Sequence, residues 1–159
     1  MRPLTLICAA AFAACTLPEP QATSTGPSAD AAAAWLADYT TAVSAGDLDA
    51  TMALYAPDAI SMPPDGPAVS GADALRDWYA PAFTEYTMGL TATVDDVVVA
   101  ADLAVLRASY DQQLVPKHGG EPVIQLGSWL IVLRATEDGS WKLWRDMWSA
   151  VQPGEPPAP

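Results

Sequence analysis

A carboxylate flanked by two indoles marks the last extended run of this chain. In Trp141-Lys142-Leu143-Trp144-Arg145-Asp146-Met147-Trp148, strict alternation puts Trp144, Asp146 and Trp148 on one face of a sheet. An acid in that setting is costly to ionise, so it is either a paired structural acid or a tuned acid/base in an apolar pocket. As a base, Asp146 needs a raised pKa and a substrate carbon acid beside it. A phenol from Tyr55, Tyr79 or Tyr110 would then stabilise the developing enolate. In the plainer reading, Asp146 pairs with Arg107 or Arg134 on a neighbouring strand.

The aromatic residues Trp35, Tyr39, Tyr55, Trp78, Tyr79, Phe83, Tyr110, Trp129, Trp144 and Trp148 are core by default. Buried Tyr and Trp want polar partners, and a small core struggles to supply this many. Some therefore face a cavity or a subunit interface, and all of them except Phe83 are candidate ligand contacts. Gln112 and Gln125 either add polar contacts to the same wall or lie on the outer face. The acidic pairs Asp47/Asp49, Asp95/Asp96 and Glu137/Asp138 fall at caps and turns and read as solvated charge. His118 sits in a Gly-rich loop. No cluster has metal-ligand spacing, and neither a metal nor a cofactor is expected.

Helices must come first. Ser28 or Asp30 can cap one beginning in the Ala-rich run, with Trp35, Tyr39 and Ala42 on one face and Gly46 as its stop. Asp47 caps a second, with Leu48, Met52 and Tyr55 on one side before Pro57. A short strand at Ala59-Ile60-Ser61-Met62, a turn at Pro63-Pro64-Asp65-Gly66 and a return at Ala68-Val69 follow. A third helix carries Leu75, Trp78, Tyr79, Ala82, Phe83 and Tyr86, with a kink or split expected at Pro81. Extended runs at 88–100, 103–115, 122–136 and 140–149 have connections short enough for antiparallel neighbours, Asp138-Gly139 being a hairpin signal. This order implies an α+β fold, a cone-shaped curved antiparallel sheet with three N-terminal helices packed on its concave face.

Of 159 residues, 51% are hydrophobic and 16% charged, enough for one domain with a core of ordinary size. Seven basic against 19 acidic residues give a net charge of −12. Such a surface repels phosphate backbones and anionic lipid, so nucleic acid is not an expected partner.

Residues 1–14 carry Arg2 and then an apolar run too short to span a bilayer, the build of a secretory signal. Ala11-Phe12-Ala13 fits ordinary cleavage. Phe12-Ala13-Ala14-Cys15 resembles a bacterial lipobox, with Phe12 in place of the usual Leu. Residues 15–29 then read as a lipidated Cys15 and a Pro/Ser/Thr-rich tether. The folded domain is expected over 30–151 and a disordered tail over 152–159. The protein is thus expected to be exported and held in the cell envelope, periplasmic or outer-surface, through Cys15.

Several phrases resemble the nuclear transport factor 2-like superfamily, which includes ketosteroid isomerases and SnoaL-type polyketide cyclases. They are Ala45-Gly46-Asp47-Leu48-Asp49, Leu54-Tyr55-Ala56-Pro57-Asp58-Ala59, Gly71, Gly120-Glu121-Pro122-Val123, and Asp138-Gly139-Ser140-Trp141-Lys142-Leu143 with Asp146-Met147-Trp148. The resemblance implies the cone fold, and it places Asp146 where cyclases of this type look to carry a catalytic Asp. It also implies that Gln125 and Ser128 stand where relatives often carry charged residues, which favours a neutral ligand. Three functions follow: a lipid-anchored domain binding a small, mostly apolar molecule; an isomerase or cyclase using Asp146, with Tyr55 as hydrogen-bond donor; or a dimeric assembly module. A homodimer is expected in any case, because the outer sheet face is apolar.

Overall fold

The computed structural model describes residues 28–150. The signal segment, Cys15, the tether up to Pro27 and the tail from 152 lie outside the described residues.

Helix α1, Ala29–Ser44, begins where the Ser28 hydroxyl accepts the Ala31 N–H at 3.1 Å. It ends at Gly46, whose φ of 70° suits a residue without Cβ. Asp47 then caps α2, Leu48–Ala53, by accepting the Ala50 N–H at 2.8 Å. Tyr55 does not belong to that helix, as its spacing suggested; it opens strand β1, Tyr55–Met62. The Leu143 N–H donates to the Leu54 carbonyl at 2.8 Å, and this long-range bond draws the chain into the sheet.

Strand β2, Val69–Ser70, returns beside β1 and leads through Gly71 into α3, Ala72–Glu85. The split expected at Pro81 does not occur, and α3 runs through it as one helix. Pro81 and Asp77 are both exposed, so water can serve the carbonyl that the missing N–H leaves free. No helix among the described residues is long and apolar enough to cross a membrane.

Strands β3 (Tyr86–Ala100), β4 (Leu103–Pro116), β5 (Val123–Ala135) and β6 (Trp141–Trp148) complete a six-stranded sheet of order β2-β1-β6-β5-β4-β3. All neighbours are antiparallel except β1 and β6, which run parallel. The register breaks at three places: around Asp95 in β3, across residues 56–59 in β1, and at Trp144 in β6. Such bulges bend and twist a sheet. Here they accompany a curved, unclosed wall with the helices on its concave side, the α+β cone expected from the sequence.

Alternation along β4 separates the two faces: Ala104, Leu106, Ala108 and Tyr110 are buried, whereas Val105, Arg107, Ser109 and Asp111 are exposed. Trp35, Leu36, Tyr39 and Val43 of α1 share one apolar core with Leu106, Ile131, Leu133 and Leu143 of the sheet.

Candidate functional site

Asp146 is buried on the concave face, only 1% exposed. Its strand neighbours fix it there: Ser61 of β1 lies opposite on one side and Ile131 of β5 on the other. The Ser61 hydroxyl donates to one carboxylate oxygen at 2.5 Å, and the Trp129 indole N–H donates to the other at 3.0 Å. Burial pushes the Asp146 carboxyl up to about 6, against the opposing pull of these two donors.

The cationic partners expected for Asp146 are elsewhere. Arg107 pairs with Asp95 and Arg134 with Asp58, both at exposed positions. Both arginines occupy outer-face positions of their strands, so each guanidinium points away from the cavity and takes its carboxylate from an irregular segment.

Three phenols form a chain near the acid. The Tyr39 and Tyr55 hydroxyls are 3.0 Å apart, and the Tyr55 hydroxyl donates to that of Tyr79 at 3.1 Å. Burial raises all three, Tyr39 to about 12, and the nearby Asp146 charge adds to the rise. All three are therefore neutral hydrogen-bonding groups at physiological pH.

Asp146, Tyr39, Tyr79 and Trp129 line a cavity of about 410 Å³, within the range of small-molecule sites. Trp78, Tyr110, Trp148, Gln112 and Gln125 line it too, with Phe83 and Met88 among its apolar walls. Among the described residues, its charged lining residues are Asp65 and Asp146. Trp78 is 43% exposed and packs edge-on against Trp148, with centroids 6.1 Å apart, at the rim.

Three candidate contacts are not on this wall. Trp35 is core, stacked on Tyr39, with its N–H directed to the Leu54 carbonyl at 3.4 Å. Tyr55 is not in the lining, and its hydroxyl is hydrogen-bonded to those of Tyr39 and Tyr79, which are. Trp144 occupies the β6 bulge, unpaired with β5, so plain alternation misplaced it. Its N–H donates to Asp58 at 3.0 Å, and the Arg134 and Arg145 guanidinium carbons lie 4.9 and 4.1 Å from its ring centroid.

Two contributors to the site carry little signal in sequence. Ser61 is one hydroxyl in a short strand. Gly127 faces Tyr110 across the ladder, and a Cβ there would come within 2.7 Å of the Tyr110 ring. The missing side chain lets Tyr110 lie across the strand and donate to the Ser149 carbonyl at 3.0 Å.

The sequence signature of the SnoaL-like domain matches residues 36–144. The chain belongs to the SnoaL-like domain family. Asp146 lies just beyond the matched stretch of this SnoaL-like domain. A ketosteroid isomerase-like protein from Erwinia carotovora atroseptica is 29% identical with a TM-score of 0.67, the match covering 76% of this chain and 94% of that one. A conserved protein from Planctomyces limnophilus has a TM-score of 0.71 at 18% identity, over 76% of this chain and 95% of that one. A candidate scytalone dehydratase from Novosphingobium aromaticivorans has a TM-score of 0.71 at 15% identity, over 77% and 83%. The last two share the fold at identities too low to carry more. No curated protein matches the chain.

Proposed function

We propose that this domain holds a small, mostly apolar, uncharged molecule inside the cone. The observation that carries the reading is the cavity of about 410 Å³ with aromatic and aliphatic walls and, among the described residues, no cationic side chain in its lining. An anionic ligand would meet two carboxylates and a net charge of −12, whereas a neutral apolar one gains from leaving water. The ketosteroid isomerase-like relative supports a small-molecule occupant.

Nile red, a neutral apolar dye, tests this. Its emission should shift to the blue and tryptophan fluorescence should fall on binding. Ala82→Trp, which fills the cavity from α3, should abolish both while leaving the circular dichroism unchanged. Equal dye binding by wild type and the filled variant would refute the proposal.

A second reading has its own observation. Asp146 lies on the cavity wall with its pKa raised to about 6, the poise of a general base, and Tyr79 offers a neutral phenol on the same wall. In this reading Asp146 abstracts a proton next to a carbonyl. Turnover of ketosteroids or polyketide-like enones by wild type, lost in Asp146→Asn, would support it; absence of turnover across that panel would remove it.

The proposal extends to location and assembly. The lipobox-like residues support export and anchoring through Cys15, which incorporation of a palmitate analogue, absent in Cys15→Ser, would test. On the outer sheet face Val105, Ile124, Leu126, Leu130 and Met147 are 37–48% exposed. These exposed apolar side chains, Leu130 and Met147 being direct cross-strand neighbours, support a homodimer.

A further inference from the structure

We infer that Gln112 and Gln125 form an amide clamp on the cavity wall, well along β4 and β5 from Asp146. The clamp reads a second, neutral hydrogen-bonding group on the ligand. The ligand class is thereby narrowed to an elongated molecule with an apolar middle and a polar group at each end. This inference rests on the binding reading above and adds the shape and polarity of the occupant.

The strand register carries it. Inward positions along β5 meet their neighbours in order: Ile131 faces Asp146, Trp129 faces Trp148, Gly127 faces Tyr110, and Gln125 faces Gln112. The acid and the amides thus stand well apart along one wall. Gln125 lies four positions along β5 from Trp129, which holds the acid, a span of about 13 Å at strand rise. The inward residues between are Tyr110 and Trp148, and Leu114 lines the cavity one inward step beyond the amides.

Both glutamines line the cavity and are half-buried. The polar groups of the wall that are already engaged are Ser61, Trp129, Asp146 and the tyrosines. Neither glutamine amide is hydrogen-bonded among the described residues. Direct cross-strand partners hold their side chains about 5 Å apart, so the two amides together offer donors and acceptors to one ligand group. With no cation among the described lining residues, a carboxylate finds no opposite charge there, whereas a hydroxyl or carboxamide can both donate and accept.

The test uses three neutral probes of one shape: biphenyl, biphenyl with one para hydroxyl, and biphenyl with a hydroxyl at each para position. Affinities are read from tryptophan quenching near neutral pH. The doubly hydroxylated probe should bind wild type about tenfold more tightly than the singly hydroxylated one. The double substitution Gln112→Leu with Gln125→Leu should erase that advantage, so that the variant binds the two phenols with equal affinity. If the double variant does not fold, Gln125→Met alone should lose part of the advantage. Equal binding of the two phenols by wild type, or an advantage that survives the glutamine substitutions, would overturn the clamp while leaving the cavity reading intact. Failure of all three probes to bind would overturn both.

Discussion

Trp129 and Asp146, 17 residues apart in sequence, meet in the cavity wall through an indole N–H that donates to the carboxylate at 3.0 Å. With Ser61 on the other oxygen, the acid has two donors and no counter-charge. Two neutral donors are a weaker remedy for burial than a guanidinium would be, and the raised pKa follows from that balance.

The first prediction concerns pH. Asp146 titrates at about 6 in the folded protein, against an ordinary value of 3.8. Below about pH 4 both folded and unfolded states hold the proton and burial costs nothing. Between the two values the unfolded chain gives up its proton first, so stability falls as pH rises. Above about pH 6 the full cost is present, roughly 3 kcal/mol at 1.4 per unit. Asp146→Asn keeps an acceptor for Trp129 and removes the charge. Denaturant unfolding should show it more stable than wild type by about 1–3 kcal/mol near pH 8 and equal near pH 4.

Trp129→Phe removes one donor and keeps most of the ring. The apparent pKa of Asp146, followed by its carboxyl carbon resonance, should rise further above 6. Stability near neutral pH should drop by about 1–3 kcal/mol. An unchanged carboxyl titration would show that the indole contact contributes nothing to the acid.

Much of this site was legible in sequence. The helix caps at Ser28 and Asp47, the Gly46 stop and the alternation of β4 all rest on local rules, and they set the cone. What escaped depends on partners remote in the chain. Tyr55 has helical spacing from Leu48 and Met52, yet the Leu143–Leu54 hydrogen bond pulls it into a strand. Arg107 and Arg134 are within reach of β6 in sequence terms, but their carboxylates come from irregular segments whose positions no period predicts. Trp144 obeys the parity of Asp146 and still faces away, because a bulge leaves no trace in hydrophobic alternation.

Gly127→Ala should be disruptive out of proportion to its one added carbon. The new Cβ would lie 1.8 Å from the Ser149 carbonyl oxygen, a backbone atom that cannot swing aside. The expected loss is about 1–3 kcal/mol. Tyr110→Ala should not rescue it, since the nearer clash is with Ser149. A melting temperature restored by that second substitution would contradict the assignment.

The dimer proposal has a direct test at two cross-strand neighbours of the outer face, Leu130 and Met147, which are 41% and 48% exposed. Sedimentation equilibrium at micromolar concentration should find a dimer in wild type and a monomer in Leu130→Lys. Fold content should be unaffected, as a charge at an exposed strand position is readily solvated. A monomeric wild type would end the proposal.

The bulge in β6 settles a numbering conflict. Trp141 and Leu143, both odd, and Asp146 and Trp148, both even, cannot share the inner side of a regular strand. Setting Trp144 aside shifts the count by one and lets all four turn inward. The residue set aside is fastened outside by Asp58, Arg134 and Arg145, so one surface cluster secures the irregularity that turns the acid inward.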